Sequence, residues 1–291
     1  SICEMIDICG ENVTEEEAES FLTKYKFDPI FKYVSDPDSL SSSEIEKVLV
    51  LANKFLATGD VMDGIIEFYF RNVVESKVSL PDLFILGSVH LELKRFLKKF
   101  EFGIKVDEKK ITLDGWEVRG EKRSMSLQFF KVLAPYFTSI TIMNFAIDNN
   151  SISLFESAIY SDLNQLEFEN CPLLFSSENY FDFQHLTSMT HFKFSGCFHE
   201  NFIYMLRTIP KDTLTHLDIS NVPFYDLIDV YVLMNVLLKF NQLKSFSAVF
   251  NLLSQYEWKK PKLTGNILDL PNLEFLNLRG NLNLISFVNE L

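Results

Sequence analysis

"LPNLEFLNLRGN", residues 270–281, places apolar side chains at Leu273, Leu276 and Leu278 and an asparagine at Asn281. Leu276 and Leu278 alternate with a period of two, so both point to one side of a short strand. One such alternation is common, but the spacing L-x-x-L-x-L-x-x-N/C recurs along this chain. "LKSFSAVFN" puts Leu243, Phe246, Ala248 and Asn251 in the same slots, and "LTHLDISNV" puts Leu214, Leu217, Ile219 and Val222 there. "MTHFKFSGC" (Met189, Phe192, Phe194, Cys197) and "LNQLEFENC" (Leu163, Leu166, Phe168, Cys171) follow the same rule. "FTSITIMNF" (Phe137, Ile140, Ile142, Phe145) is a weaker first copy. The first positions are 26, 26, 25, 29 and 30 residues apart. Six copies in register at nearly constant spacing mark an internal repeat.

Segments with helical spacing lie between these strands: "SMSLQFFKVLAPYF", "NSISLFESAIYS", "HENFIYMLRTIP" and "YDLIDVYVLMNVLLKF". A strand–helix unit with one apolar face cannot bury it alone, so the units must stack. The connection over 251–272 differs, because Pro261 and Gly265 interrupt helical periodicity; a loop or broken helix is expected there. The pattern over about 125–291 resembles the leucine-rich repeat family, in its long, ribonuclease-inhibitor type with Cys or Asn at the ninth slot. The resemblance implies an α/β fold: a leucine-rich-repeat solenoid, with a curved parallel sheet lined outside by helices, preceded by a small all-α bundle. Cys171 and Cys197 hold equivalent slots, where a small side chain bonds neighbouring backbone groups or fills the core.

The first third reads as helices. Thr14 is a plausible cap, followed by glutamates that suit a helix N-terminus. A second helix is expected with a serine cap at Ser42 or Ser43, an apolar face of Ile45, Val48, Leu51 and Phe55, and a stop at Gly59. A third starts at Asp60, and a fourth carries Pro81 in its first turn. The expected organisation is an acidic segment 1–20, a helical domain 21–110 and the repeat domain 111–291. "FKYVSDPDSLSSSEIEKVLVLANKFLATGDVMDGIIEFYFRNV" looks like the C-terminal half of a BTB/POZ or Skp1-type cullin adaptor, in which a "VLxLAxxF" helix precedes a helix ending "xxxxEFxxxNV". The same helices can be read as an F-box-like or cullin-box-like module. The Pro-led opening and the Trp of an F-box are missing, and so is the strand-rich half of a BTB domain. A plain helical cap on the solenoid is the other reading.

The net charge of −13 repels phosphate backbones, so nucleic acid is not an expected partner. The most basic stretch, Leu91 to Arg123, mixes ten Lys/Arg with seven Asp/Glu, as a solvated surface does. The 29 phenylalanines require a large continuous core. Four cysteines are too few for a disulfide framework. No apolar run is long enough to span a bilayer, and the acidic N-terminus has no signal-peptide pattern, so a cytoplasmic or nuclear protein off the membrane is expected. The chain starts without Met and stops inside a repeat, so membership of a longer protein stays open.

Phosphate-loop, dinucleotide, zinc-protease and nucleophile-elbow motifs are absent, and the ten glycines include no phosphate-cradling loop. Asn12 and Asn149 head glycosylation sequons, which matter in a secreted protein. His191 and His216 share a repeat slot, but no nucleophile or third ligand converges on them. No enzyme activity, cofactor or metal is therefore expected. What the repeat offers is a surface. Slots three, five and seven should face the concave side, with Gln165, His191, His216, Ser245 and Phe275 in the first of these rows. Glu167, Lys193, Asp218, Ser247 and Asn277 stand in the second, and Arg279 in the third. That mixture suits a protein ligand, with Phe275 and the two histidines as anchors. The expected role is protein recognition, with residues 21–100 docking a cullin adaptor in the sharper version. A scaffold or inhibitor of one partner, without a ligase, is the alternative.

Overall fold

The computed structural model describes residues 28–45, 47–48, 60–74, 90–118, 122–148, 151, 160–174, 176, 180–199, 201–222, 232–233, 235–249 and 270–280. Expectations at Thr14, Leu51, Phe55, Gly59, Pro81, both sequon asparagines and most of the 251–272 connection lie outside them. The chain divides into two compact units, Ser1–Phe100 and Glu101–Leu291.

In the first unit all regular structure among the described residues is helical. Helix α1 spans Asp28–Ser35, α2 spans Asp60–Val74 and α3 spans His90–Lys99. The helical turn at 42–45 has its cap at Ser41, one residue before the earlier of the two serines expected from sequence. The Glu44 carboxylate accepts from the Ser41 N–H at 2.7 Å and from its hydroxyl at 2.6 Å, and Lys32 reaches it from α1 at 3.1 Å. The Glu44 carboxylate thus supplies its half of a Ser-x-x-Glu capping box by reaching back to the Ser41 N–H, while the Ser41 hydroxyl donates to that carboxylate instead of accepting the Glu44 N–H, which bonds the Ser41 carbonyl. The Ser41 hydroxyl, then its N–H and Lys32, pull the Glu44 pKa down to about 2. Tyr33 of α1 meets Phe68 of α2 at 4.9 Å. The buried Asp63 carboxylate of α2 receives Arg95 at 2.8 Å and Lys99 at 2.6 Å, both from α3. Ile65, Ile66, Tyr69, Leu93, Phe96 and Leu97 are buried beside these polar ties.

The second unit is α/β, with one open, mostly parallel sheet of eight strands in chain order. The strands are β1 (Phe102–Val106), β2 (Lys110–Val118), β3 (Ser139–Met143), β4 (Gln165–Glu169), β5 (His191–Ser195), β6 (His216–Asp218), β7 (Ser245–Ser247) and β8 (Phe275–Asn277). β1 and β2 pair antiparallel and every later pair is parallel. The hairpin is a correction to the reading of 101–110 as part of the helical domain. Phe102, Ile104 and Val106 alternate inward with a strand's period, so this stretch joins the sheet. Helix α4 (Arg123–Leu133) precedes β3, and α5 (Phe202–Thr208) lies between β5 and β6. Both fall where helical spacing was expected.

The register stacks the apolar slots. Ile111, Ile140, Leu166, Phe192, Leu217, Phe246 and Leu276 form one row across β2–β8, and Leu113, Ile142, Phe168 and Phe194 form the next. Behind β4 and β5 the phenylalanines make a continuous layer. Phe168 stacks on Phe181 at 5.3 Å, Phe181 on Phe183 at 5.5 Å, and Phe194 on Phe202 of α5 at 4.8 Å. Each such ring removes a large apolar area from water.

The strands end at a recurring backbone position that the repeat template left blank. Asn144, Asn170, Gly196, Asn221 and Gly280, all at the eighth slot, have positive φ, between 52° and 80°. Asn and Gly are the residues that enter this left-handed region most easily. The turn lets the chain leave the sheet while the ladder continues: the N–H groups of Asn144, Asn170, Gly196 and Asn221 donate to Glu169, Ser195, Ser220 and Val249 carbonyls. One residue on, Cys171 and Cys197 are buried free thiols. The Cys171 N–H donates to Cys197 Sγ at 3.2 Å and the Cys171 thiol donates to the Ile142 carbonyl at 3.3 Å, the backbone bonding expected of that slot.

Candidate functional site

On each central strand the apolar residues are buried and the alternate ones partly exposed, so the sheet presents one polar face. Parallel pairing brings the candidate residues into rows. Gln165, His191, His216, Ser245 and Phe275 are neighbours in one row, which Lys110 and Ser139 extend toward β2. Glu167, Lys193, Asp218, Ser247 and Asn277 form the second row, extended by Thr112 and Thr141. Arg279 is not on a strand: β8 ends at Asn277, and the Arg279 N–H turns back to Asn277 Oδ1 at 3.3 Å. The third row is thus a sheet row over β2–β5 alone, as Asp114, Met143, Glu169 and Ser195.

The two halves of this face differ. Over β2–β5 the charged groups bond one another. Glu167 accepts from Thr141 Oγ1 at 2.8 Å, from Gln165 Nε2 at 2.5 Å and from Lys110 at 3.4 Å. Burial pushes its pKa up, but the Thr141 hydroxyl, Lys110, Gln165 and Lys193 outweigh it, and the carboxyl stays below its ordinary value. Lys193 reaches Glu169 at 2.5 Å. Its partial burial works against the charge, and the acidic neighbours, Glu169 first, more than compensate, so its pKa is raised. Groups satisfied in this way position the surface more than they bind.

From β5 to β8 the face carries His191, His216, Asp218, Ser245, Ser247, Phe275 and Asn277. Phe275 is 54% exposed, an anchor-sized ring on an otherwise polar row. The His191 and His216 rings stack at 4.0 Å, 8° from parallel. Each Nδ1 lies 2.8 Å from the hydroxyl of the preceding residue, Thr190 or Thr215. Burial, and then the neighbouring His216, hold the His191 pKa below its ordinary value, against Glu167. Asp218 Oδ1 accepts the Ser220 N–H at 2.9 Å.

Other exposed apolar groups lie off these rows: Trp116 at the end of β2 and, on segments between strands, Leu174, Tyr180, Phe198 and Tyr204. Tyr180 and Tyr204 are 6.3 Å apart, with Arg207 over the Tyr204 ring. Sequence periodicity does not single these out, since their exposure depends on where the connections pass. Among the described residues no group of three His, Cys, Asp or Glu could hold a metal ion. No helix among them is long and apolar enough to cross a membrane. No family model matches the chain, and no curated protein matches it.

Proposed function

We propose that this protein is a non-catalytic recognition module. In this reading the second unit is a leucine-rich-repeat solenoid of the ribonuclease-inhibitor type, and it binds a partner protein on its exposed, concave sheet face. The observation that carries the proposal is the register. Six sequence copies bring their third-slot side chains into one continuous row, from Ser139 to Phe275, on the side of the sheet away from the phenylalanine layer. A repeated parallel sheet with one buried face and one row-patterned polar face supplies area, shape and specificity without a reaction centre. The β5–β8 half, with Phe275 and the histidine stack, is the better candidate for the energetic centre. The compartment that fits is the cytoplasm or nucleus.

A second reading adds a cullin-type ubiquitin ligase that docks on the helices within residues 21–100. It is favoured by the order of the described helices: α1, the turn at 42–45 and α2 fall along the stretch that resembles a cullin adaptor, and α2 carries its "EFYFRNV" ending. Affinity purification of the intact protein from its own cells, read by mass spectrometry, tests both. Partners lost from an Asp218→Lys, Phe275→Glu variant support the face. Cullin, Skp1-like or elongin subunits that vanish when 21–100 is deleted, while the face partner stays, support the ligase. A partner set indifferent to both changes overturns the proposal.

A further inference from the structure

The histidine stack has a hydrogen-bond polarity that the sequence does not show. Thr190 Oγ1 donates its proton to the Asn164 carbonyl at 3.2 Å, and Thr215 Oγ1 donates to the Thr190 carbonyl at 3.0 Å. A hydroxyl has one proton to give. With that proton on the carbonyl, each Oγ1 accepts from the imidazole 2.8 Å away and Nδ1 carries the ring proton, whereas a hydroxyl that gave its proton to Nδ1 would reverse the tautomer. Both Nε2 atoms are then bare acceptors on the far side of the rings from the threonines. The shared anchoring and the near-parallel planes set them side by side at about the ring separation of 4.0 Å. Neither Nε2 has a partner among the described residues. Around the pair, Glu167 on β4 is tied to Lys110 and Lys193 on β5 to Glu169, so among the described residues Asp218 on β6 is the acidic group without an ion-pair partner beside the stack, while β7 offers the neutral Ser245 and Ser247.

We infer that the His191–His216 stack is the docking point for a basic side chain of the partner protein, an arginine or lysine whose N–H groups donate to the paired Nε2 atoms beside Asp218. The inference rests on the reading of this face as the binding face, and it specifies the partner's chemistry. Two fixed, unpaired acceptors beside Asp218 select a cationic donor and reject a carboxylate, which would meet two lone pairs. Protonation of either ring turns an acceptor into a donor and adds a like charge, so the contact weakens as pH falls. A hydrogen bond to a charged group contributes enough that losing the two acceptors should weaken binding at least about tenfold.

The test uses the full chain with ¹⁵N-labelled histidine, titrated with tetra-arginine or tetra-glutamate peptide at physiological salt. In the free protein at pH 7.5, both rings should show a protonated Nδ1 and an unprotonated Nε2. Tetra-arginine should move both Nε2 resonances, less so at pH 5, and tetra-glutamate should not. The His191→Phe, His216→Phe variant keeps two stackable rings and should bind tetra-arginine at least about tenfold more weakly. Rings protonated on Nε2 in the wild type overturn the inference without any variant having to fold. So does tetra-arginine that leaves both rings unmoved, or tetra-glutamate that moves them more. If tetra-arginine shifts the Ser245–Asn277 amides and not the rings, the inference fails while the binding face stands. If the natural partner survives the Asp218→Lys, Phe275→Glu change, the face itself fails.

Discussion

Gly196 tests the strand-exit turn that lets the sheet repeat. Its φ is +65°, and a Cβ built there would lie 2.1 Å from Asn170 Oδ1, the side chain at the same slot of the preceding strand. Gly196→Ala therefore carries two costs. The left-handed conformation costs an L residue with a Cβ about 1–2 kcal/mol, and moving the Asn170 amide off its rotamer adds about 1 kcal/mol. The total, about 2–3 kcal/mol, corresponds to a fall of about 4–12 °C in the melting temperature for a unit of this size. Asn170→Gly alone should be nearly silent, because glycine also tolerates its φ of 52°. In the double variant the clash is gone and the backbone cost remains, so it should melt about 2–4 °C above Gly196→Ala. Far-UV circular dichroism of the four proteins reads this cycle. A Gly196→Ala protein within about 0.5 kcal/mol of wild type, or a double variant no more stable than it, would refute the reasoning.

Three further outcomes follow from the packing and the charges. Removing both Arg95 and Lys99 as alanines should cost about 3 kcal/mol by leaving the Asp63 carboxylate buried and unpaired. Asp63→Ala should cost less in urea unfolding, because the two cations are partly exposed and can return to water. The His191 pKa lies below its ordinary 6.5. As pH falls through 6.5 the unfolded chain is protonated first, so stability drops until the depressed folded value is passed and then levels off. His191→Gln should remove that part of a melting-temperature profile against pH. Thr141→Val deletes the hydroxyl that donates to Glu167 and should cost about 1–2 kcal/mol. It should also raise the Glu167 pKa in a carboxyl-resolved NMR titration.

Much of the sheet was legible because its signal is local and repeated. Leu166 and Phe168, or Phe192 and Phe194, announce a strand by their alternation, and the constant spacing predicts their register. Helices α4 and α5 were legible from helical spacing. The β1–β2 hairpin was not, because Phe102–Val118 stands outside the repeat and its many charges hide the alternation of Phe102, Ile104 and Val106. The eighth-slot turn was present in the sequence as Asn144, Asn170, Gly196, Asn221 and Gly280. It went unread because a template built on buried positions ignores residues chosen for backbone conformation. At the candidate site the rows followed from the period alone, whereas Arg279 lies two residues past the end of β8, so the strand period does not place it. The tautomer of the stack was beyond sequence: it depends on where the Thr190 and Thr215 hydroxyl protons go, and the carbonyls within their reach, of Asn164 and Thr190, come from the residues that precede the neighbouring strands.

The most direct test of the proposed binding face is hydroxyl-radical footprinting of the purified protein with and without a partner captured from its own cells. His191, His216 and Phe275 are oxidisable side chains on the face, and Trp116, Tyr180, Phe198 and Tyr204 are exposed oxidisable groups off its rows. A partner bound on the proposed face should protect His191, His216 and Phe275 and leave Tyr180, Phe198 and Tyr204 as reactive as before. Protection confined to Trp116, Tyr180, Phe198 or Tyr204, with the histidine stack and Phe275 unchanged, would contradict it.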